Sequence, residues 1–332
     1  MKIVEVWVKK LAILVATILF ATSITFFVIR LMPGDPVDTM AMSLITNEGL
    51  DYNQAYEKAK ALLNYDPDKS FGEQYMSYLK DLSKLELGES MSSKQPVIKV
   101  IAGALPWTLF ILTISVTIAF VLGVLIGMYI AWNRNTLIDP IVSVYASISG
   151  SLPDYIVGLL LVVLFSTKLR WFPSRGAYSS QVTPGFNFLF IKDVLYHSFL
   201  PMLTYVITGL GSWALFMKGS AVSVLSEDYI MAARARGLSE KRIRKTYVGR
   251  NAILPLITSL AISFGALFGG SPLIENLFAY PGVGFYLNRA IAARDYSLMQ
   301  GMFLMITIAV VLANLAADFC NILLDPRIKD KA

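Results

Sequence analysis

The chain has 332 residues and a formal net charge of +6, with 55% hydrophobic and only 16% charged side chains. A water-soluble domain carries about 25% charged residues, so much of this surface faces something other than water. One cysteine, Cys320, and one histidine, His197, exclude an internal disulfide framework and a Cys/His metal cluster, and basic residues set beside long apolar runs argue against a nucleic-acid patch.

A transmembrane helix needs about 20 mostly apolar residues to cross roughly 30 Å of hydrocarbon. The first such run, Leu11 to Ile29, follows Lys9 and Lys10. It is long for the apolar core of a signal peptide, and no clear small-x-small cleavage site follows it, so it reads as span one. The next stretch, about 32–97, is an acidic loop with apolar residues at helical spacing: Phe71, Tyr75, Tyr78, Leu79, Leu82 and Leu85. The pattern predicts a small folded cap, either a plain solvated lid or a docking surface for a partner.

Span two is expected over Trp107 to Ala131, inside the uncharged stretch that Lys99 and Arg134 bound. It contains Gly123 and Gly127, a G-x-x-x-G spacing that permits a tight helix crossing. Span three, Ile141 to Ser166, holds one charge, Asp154, just after Pro153. A carboxylate at that depth usually faces a cavity or a partner, which makes Asp154 a candidate pathway residue. The other reading is that Ser151 and Pro153 interrupt the helix and Asp154 caps the next segment. Span four is expected over Ser198 to Phe216, with His197 at its start. Span five covers Ala252 to Phe268 and contains a second glycine pair, Gly265 and Gly269. Glu275 lies just beyond it, either a gate candidate at the mouth of a pathway or a solvated end residue. Span six covers Met302 to Leu323, and Cys320 within it reads as a small apolar filler.

Six spans place both termini on one side of the membrane. With the termini cytoplasmic, the short inside segments hold Lys2, Lys9, Lys10, Arg134, the basic residues from Lys218 to Arg250, and Arg327, Lys329 and Lys331. The outside segments hold Lys168, Arg170, Arg175, Lys192, Arg289 and Arg294. The positive-inside rule therefore favours cytoplasmic termini, although the cluster from Lys168 to Lys192 runs against it.

The loop between spans four and five, residues 219–251, is the most informative. Ser226 is a candidate N-cap, Glu227 and Asp228 suit the positive end of a helix dipole, and Gly237 suits a helix stop. Ala232 and Ala233 allow close approach by another surface, and a second, basic helix follows. The arrangement predicts a short cytoplasmic helix on a turn. It suits either a groove in another protein or, as an amphipathic helix, an anionic lipid surface.

This loop resembles the coupling loop of ABC importer permeases, and most closely that of the oligopeptide/dipeptide branch. The residues that carry the likeness are Asp228, Tyr229, Ile230, Ala233, Arg234, Ala235, Arg236, Gly237, Leu238 and Ser239, then Asn251, Ala252, Leu254 and Pro255. Met231 departs from the pattern, standing where the general loop has a glutamate. Pro33-Gly-Asp-Pro36, Leu87-Gly-Glu-Ser90, Trp171-Phe-Pro173, Pro281-Gly-Val-Gly284 and Arg294-Asp-Tyr296 are similar to further stretches of the same branch. The first of these and the long first loop look like the B-type member of its permease pair.

The resemblance implies an all-α polytopic membrane bundle that forms a single transmembrane domain over residues 1–332. It has six spans, a folded external loop between the first two (32–97) and a cytoplasmic coupling helix between the fourth and fifth. It implies a prokaryotic inner or plasma membrane location. The implied partners are a second homologous permease, two ATP-binding subunits, an external solute-binding protein and membrane lipid. Asp228, Tyr229, Ala232, Ala233, Arg234, Ala235, Arg236 and Gly237 would meet the ATP-binding subunits, with Asp154 and Glu275 as pathway candidates. No catalytic, cofactor or metal site is expected in this chain. It lacks a G-x-x-x-x-G-K-[ST] loop, and ATP and Mg would bind the partners. Peptides are the expected cargo, with oligosaccharides, nickel or another small solute as alternatives. A membrane enzyme or an ion-coupled secondary transporter would not need the loop from Asp228 to Gly237.

Overall fold

The computed structural model describes residues 2–31, 35–63, 69–84, 86–133 and 136–324, with side chains described for these apart from 2–10, 36, 63, 266 and 316–324. In chain order, α1 (Lys2–Arg30) is followed by α2 (Pro36–Glu48), α3 (Tyr52–Leu63) and α4 (Phe71–Ser83). A two-residue antiparallel hairpin comes next, β1 (Glu89–Ser90) and β2 (Gln95–Pro96), in register Glu89↔Pro96 and Ser90↔Gln95. After it come α5 (Val97–Trp132), α6 (Ile138–Ser151), α7 (Asp154–Leu161) with a π-helical continuation Val162–Lys168, α8 (Phe188–Leu225) and α9 (Asp228–Ala235). Then α10 (Glu240–Arg242), a π-helical stretch Ile243–Gly249 and α11 (Arg250–Ala252) lead into α12 (Leu254–Ala266) and a 3-10 turn Leu267–Gly269. The chain closes with α13 (Pro272–Leu277), α14 (Val283–Ala293) and α15 (Tyr296–Leu324).

Four of these helices contain segments long and apolar enough to cross a membrane: Leu11–Arg30, Val97–Trp132, Phe188–Leu225 and Tyr296–Leu315. Two bent pairs raise the number to six if each is one span. Ile138–Ser151 and Asp154–Lys168 meet at 101°, and Glu240–Ala252 and Leu254–Gly269 at 42°. The sharper bend has a local cause. Pro153 has no N–H to donate, and its ring drives the preceding Leu152 out of the helical region, to φ −89° and ψ 129°. The predicted third span is therefore two helices, with Asp154 opening the second.

The chain divides into two compact units. The first comprises Met1–Trp107 and Pro281–Val311. Within it α2 and α3 pair around Val37, Met40, Ala41, Leu44, Ala55 and Ala59. Asp35 caps α2 by accepting from the Val37 N–H at 2.8 Å, with Pro36 at the first helical position. Ser70 and Glu73 form a reciprocal capping box that starts α4. The stripe read from the sequence lies on α4, and part of it packs on α1: Tyr78 stacks on Phe26 with centroids 5.2 Å apart, and Phe71 and Tyr75 stack on Phe27 at 6.1 and 5.5 Å. Burial there pushes the Tyr78 hydroxyl up to about 12. Leu85, at the end of the stripe, lies outside the described residues.

A second core in this unit gathers Ile29, Val97, Val100, Val283, Leu287 and Met302 among others. Beside it the fully buried Asp295 carboxylate accepts four hydrogen bonds. Oδ2 takes the Ser90 hydroxyl (2.6 Å), the Ser92 N–H (2.9 Å) and the Ser92 hydroxyl (2.9 Å), and Oδ1 takes the Leu298 N–H (3.1 Å). Four donors meet the requirement that a buried charge be hydrogen-bonded. They tie the β-hairpin to the start of α15.

The second unit comprises Thr108–Tyr280 and Leu312–Ala332. Here α8 is the axis on which α5, α6 and α7 pack. A Cβ at Gly123 would stand 2.5 Å from Trp213 Cβ, and one at Gly127 would stand 2.3 Å from the Ala214 carbonyl oxygen. The glycine pair thus seats α5 against α8 within this chain. Lys218 of α8 pairs with Asp139 of α6. The Cys320 side chain lies outside the described residues.

Candidate functional site

The loop after α8 folds as a helix, a tight stop and a second helix. Glu227 is the residue that caps α9 by position, with φ −76° and ψ 142°, and no side chain caps its N–H groups. Ser226 does not fill that role, because its hydroxyl donates back to the Ser223 carbonyl at 2.7 Å. Asp228 supplies negative charge in the first turn. At the far end Gly237 adopts φ +75°. Its N–H donates to the Arg234 carbonyl (2.9 Å), and the Leu238 N–H donates to the Ala233 carbonyl (3.3 Å). These two bonds form a Schellman stop, which requires a left-handed residue at that place. The chain then turns into α10 behind Ser239.

The two faces of α9 differ. Ile230 and Ala233, three apart and so on one side, are 0% and 2% exposed. They join Ala131 at the end of α5, Met217 and Ala221 on α8, Ile243, Val248 and Ala252 in the basic helix, and Leu256 on α12. Leu238, just past the stop, packs against the same cluster. Asp228, Tyr229, Met231, Ala232, Arg234, Ala235, Arg236 and Gly237 are exposed. Of the predicted contact residues, then, Ala233 faces its own chain, and the remaining seven face outward. Met231, at 66% exposure, belongs with them. The Arg234–Glu240 pair at 3.2 Å links α9 to α10, but both side chains are about half exposed, so it contributes little. The basic helix that follows carries Lys241, Arg242, Arg244, Lys245 and Arg250, all exposed, and the Arg244 guanidinium sits 5.8 Å from the centre of the Trp132 ring.

The two pathway candidates occupy unlike environments. Asp154 is exposed at the first position of α7, beyond the 101° bend. Glu275 is fully buried in α13, where Thr108 donates to its Oε1 at 2.9 Å. Burial overturns the reading of Glu275 as a solvated end residue. Near it Tyr280 is also fully buried, its hydroxyl 3.0 Å from the Ser198 hydroxyl. His197 is buried, with Nδ1 3.0 Å from the Asp193 carbonyl oxygen. Among the described residues no group of three or more His, Cys, Asp or Glu side chains is placed to hold a metal ion.

Sequence reasoning missed the anchoring role of Ile230, the inward turn of Ala233, and the Asp295 cluster. The signal for the first two was present as the i, i+3 apolar spacing. Nothing local joins Ser90 to Asp295, which are 205 positions apart.

Residues 123–330 match the family described as binding-protein-dependent transport system inner membrane component. The chain belongs to this family. Over nearly its full length the permease is also similar to named relatives. It is 31% identical to a di/tripeptide transport system permease protein of Pseudomonas aeruginosa, with 97% of each chain covered. It is 33% identical to a putative peptide permease protein of Brucella suis, covering 96% of this chain and 97% of the relative. It is 32% identical to the glutathione transport system permease protein of Escherichia coli K12, with 98% of each covered. These matches place the permease in the peptide branch of ABC importers, as an inner-membrane component. They agree with the resemblance carried by the loop motif.

Proposed function

We propose that the permease forms half of a peptide translocation pathway and that α9 is the lever linking this pathway to ATP-binding subunits. The observation that carries the reading is the two-sided seating of α9. Ile230 and Ala233 root it in the ends of α5, α8 and α12, while Met231, Ala232, Ala235 and Arg236 are exposed for another surface. A force applied to the outer face is passed by close-packed side chains to three apolar helices. Two-state motion follows if a partner binds one arrangement better than the other.

In this reading ATP and Mg bind the partners, and the permease supplies no catalytic group. A second homologous permease completes the pathway, and an external binding protein delivers the cargo. The bent pairs α6–α7 and α10–α12 each count as a span, which makes six with both termini cytoplasmic and residues 32–97 outside. Peptide as cargo is supported by the di/tripeptide and peptide relatives. Asp154 is the accessible pathway candidate, and Glu275 becomes a gate residue only if α13 moves.

The test is purification of the tagged permease with its partners from its own host, followed by cysteine cross-linking from Ala235→Cys. Co-elution of a second permease and two ATP-binding chains is expected, with cross-links to the latter and hydrolysis stimulated by peptide-loaded binding protein. A homo-oligomer without ATPase activity refutes the reading.

A further inference from the structure

The loop that carries α9 changes chemistry along its length. The outward residues Met231, Ala232 and Ala235 are uncharged and suit a protein groove, whereas charge dominates the basic helix beyond the Gly237 stop. From Lys241 to Arg250 that helix holds five cations, Lys241, Arg242, Arg244, Lys245 and Arg250, and no carboxylate. All five are exposed, and none makes an ion pair among the described residues. The adjacent acid, Glu240, pairs with Arg234 at 3.2 Å. Glu227 and Asp228, the other acids of the loop, belong to the start of α9, on the far side of the stop in the chain. Across the whole loop seven Lys and Arg side chains stand against these three acids, so the positive excess holds even when every neighbouring acid is counted.

The fold sets these cations at the level of span ends. Ile243, Val248 and Ala252 bury one edge of the basic helix in the cluster that includes Ala131 of α5, Met217 and Ala221 of α8 and Leu256 of α12. Arg250 precedes Leu254, the first residue of the apolar α12, by about 6 Å of helix rise. The Arg244 guanidinium lies over the ring of Trp132, the last residue of α5, and a tryptophan at a span end suits the headgroup level. The basic helix meets α12 at 42°, so it leans away from the axis of that span instead of continuing it.

We infer that the basic helix docks on the headgroups of anionic phospholipids in the leaflet it borders. Lys ammonium and Arg guanidinium groups bond phosphate oxygens, Arg in bidentate fashion, and their long apolar stems let the charged heads reach headgroup level from a helix beside the hydrocarbon. A cluster of four to eight such residues immediately cytoplasmic of a membrane-spanning helix draws anionic lipid over neutral lipid. The inference rests on the reading of α5 and α12 as spans two and five.

The test uses the full permease with its partners in nanodiscs of phosphatidylcholine with a graded share of phosphatidylglycerol. A bimane fluorophore is attached at Thr246→Cys, an exposed position among the cations, in a Cys320→Ala background, and the signal of the labelled Cys320→Ala parent is subtracted. Quenching by nitroxide-labelled phosphatidylglycerol should exceed that by nitroxide-labelled phosphatidylcholine. The excess should fall about fivefold for each charge removed in Lys241→Gln and Lys245→Gln, while Lys245→Arg, which keeps the charge, should retain it. Equal quenching by the two lipids overturns the inference, as does an excess that survives both Gln substitutions. Loss of the excess in Lys245→Arg overturns it too, because charge would then not be what the lipid reads. Quenching by neither lipid overturns it in favour of a protein partner on this face. A separate readout tests the topology: the same Thr246→Cys permease, treated with a membrane-impermeant maleimide in intact and in permeabilised cells. Labelling only after permeabilisation supports the cytoplasmic placement, and labelling of intact cells defeats the topology whatever the quenching shows.

Discussion

Replacing Gly237 by alanine isolates the backbone contribution to the α9 stop. An added Cβ would meet nothing within 4 Å, so no steric clash with a neighbour contributes. What remains is the conformation itself. At φ +75° an L-residue with a Cβ costs roughly 1–2 kcal/mol, which multiplies the population of the opened stop by about 5 to 30. The two amides that close the stop, Gly237 and Leu238, should then exchange their hydrogens faster by that factor, measured by mass spectrometry on the assembled importer. Peptide-stimulated ATP hydrolysis should fall with it, because a frayed stop lets α9 move without the helices below. Gly237→Asn should be milder on both measures, since asparagine tolerates the left-handed region. If alanine leaves exchange unchanged, or asparagine matches alanine, backbone conformation is not what glycine supplies here and the lever argument loses its anchor. Gly237→Arg combines the same strain with a bulky outward side chain and should abolish stimulation outright.

Ile230→Ala removes a fully buried side chain from the α9 seat and should lower stability by about 2–4 kcal/mol in a thermal-unfolding assay in detergent. Met231→Ala, on the exposed face, should leave stability within about 0.5 kcal/mol yet weaken cross-linking to the ATP-binding subunits. Gly127→Ala places a Cβ 2.3 Å from the Ala214 carbonyl oxygen, whereas Gly219→Ala meets open space. The first should cost about 1–3 kcal/mol or more and reduce the yield of folded permease, and the second should not. Asp295→Asn puts an amide where three donors converge on Oδ2. With bonds to a charged group contributing roughly 1.5–3 kcal/mol each, the Ser92 and Leu298 amides should exchange markedly faster than in the parent protein.

The sequence by itself determined the class of molecule and the place of its main motif. Long uncharged runs such as Leu11 to Ile29 are readable because hydrocarbon tolerates no charge without cost, and that signal is local. The α4 stripe and the Gly237 stop were equally legible, since helical spacing and a glycine after a helix are also short-range. The tertiary structure decided matters that depend on distant partners. It turned Ala233 inward beside Ile230 because the ends of α5, α8 and α12 leave an apolar seat there. It buried Glu275 under Thr108, 167 positions away, and brought Ser90 and Ser92 to Asp295. It also resolved the third predicted span into two helices at 101°. Pro153 marked that break in the sequence, and the structure shows the helix beyond it, α7, packed on α8 and α13. Motifs read along the chain name the candidates, and burial, set by residues far apart in sequence, assigns each one its side.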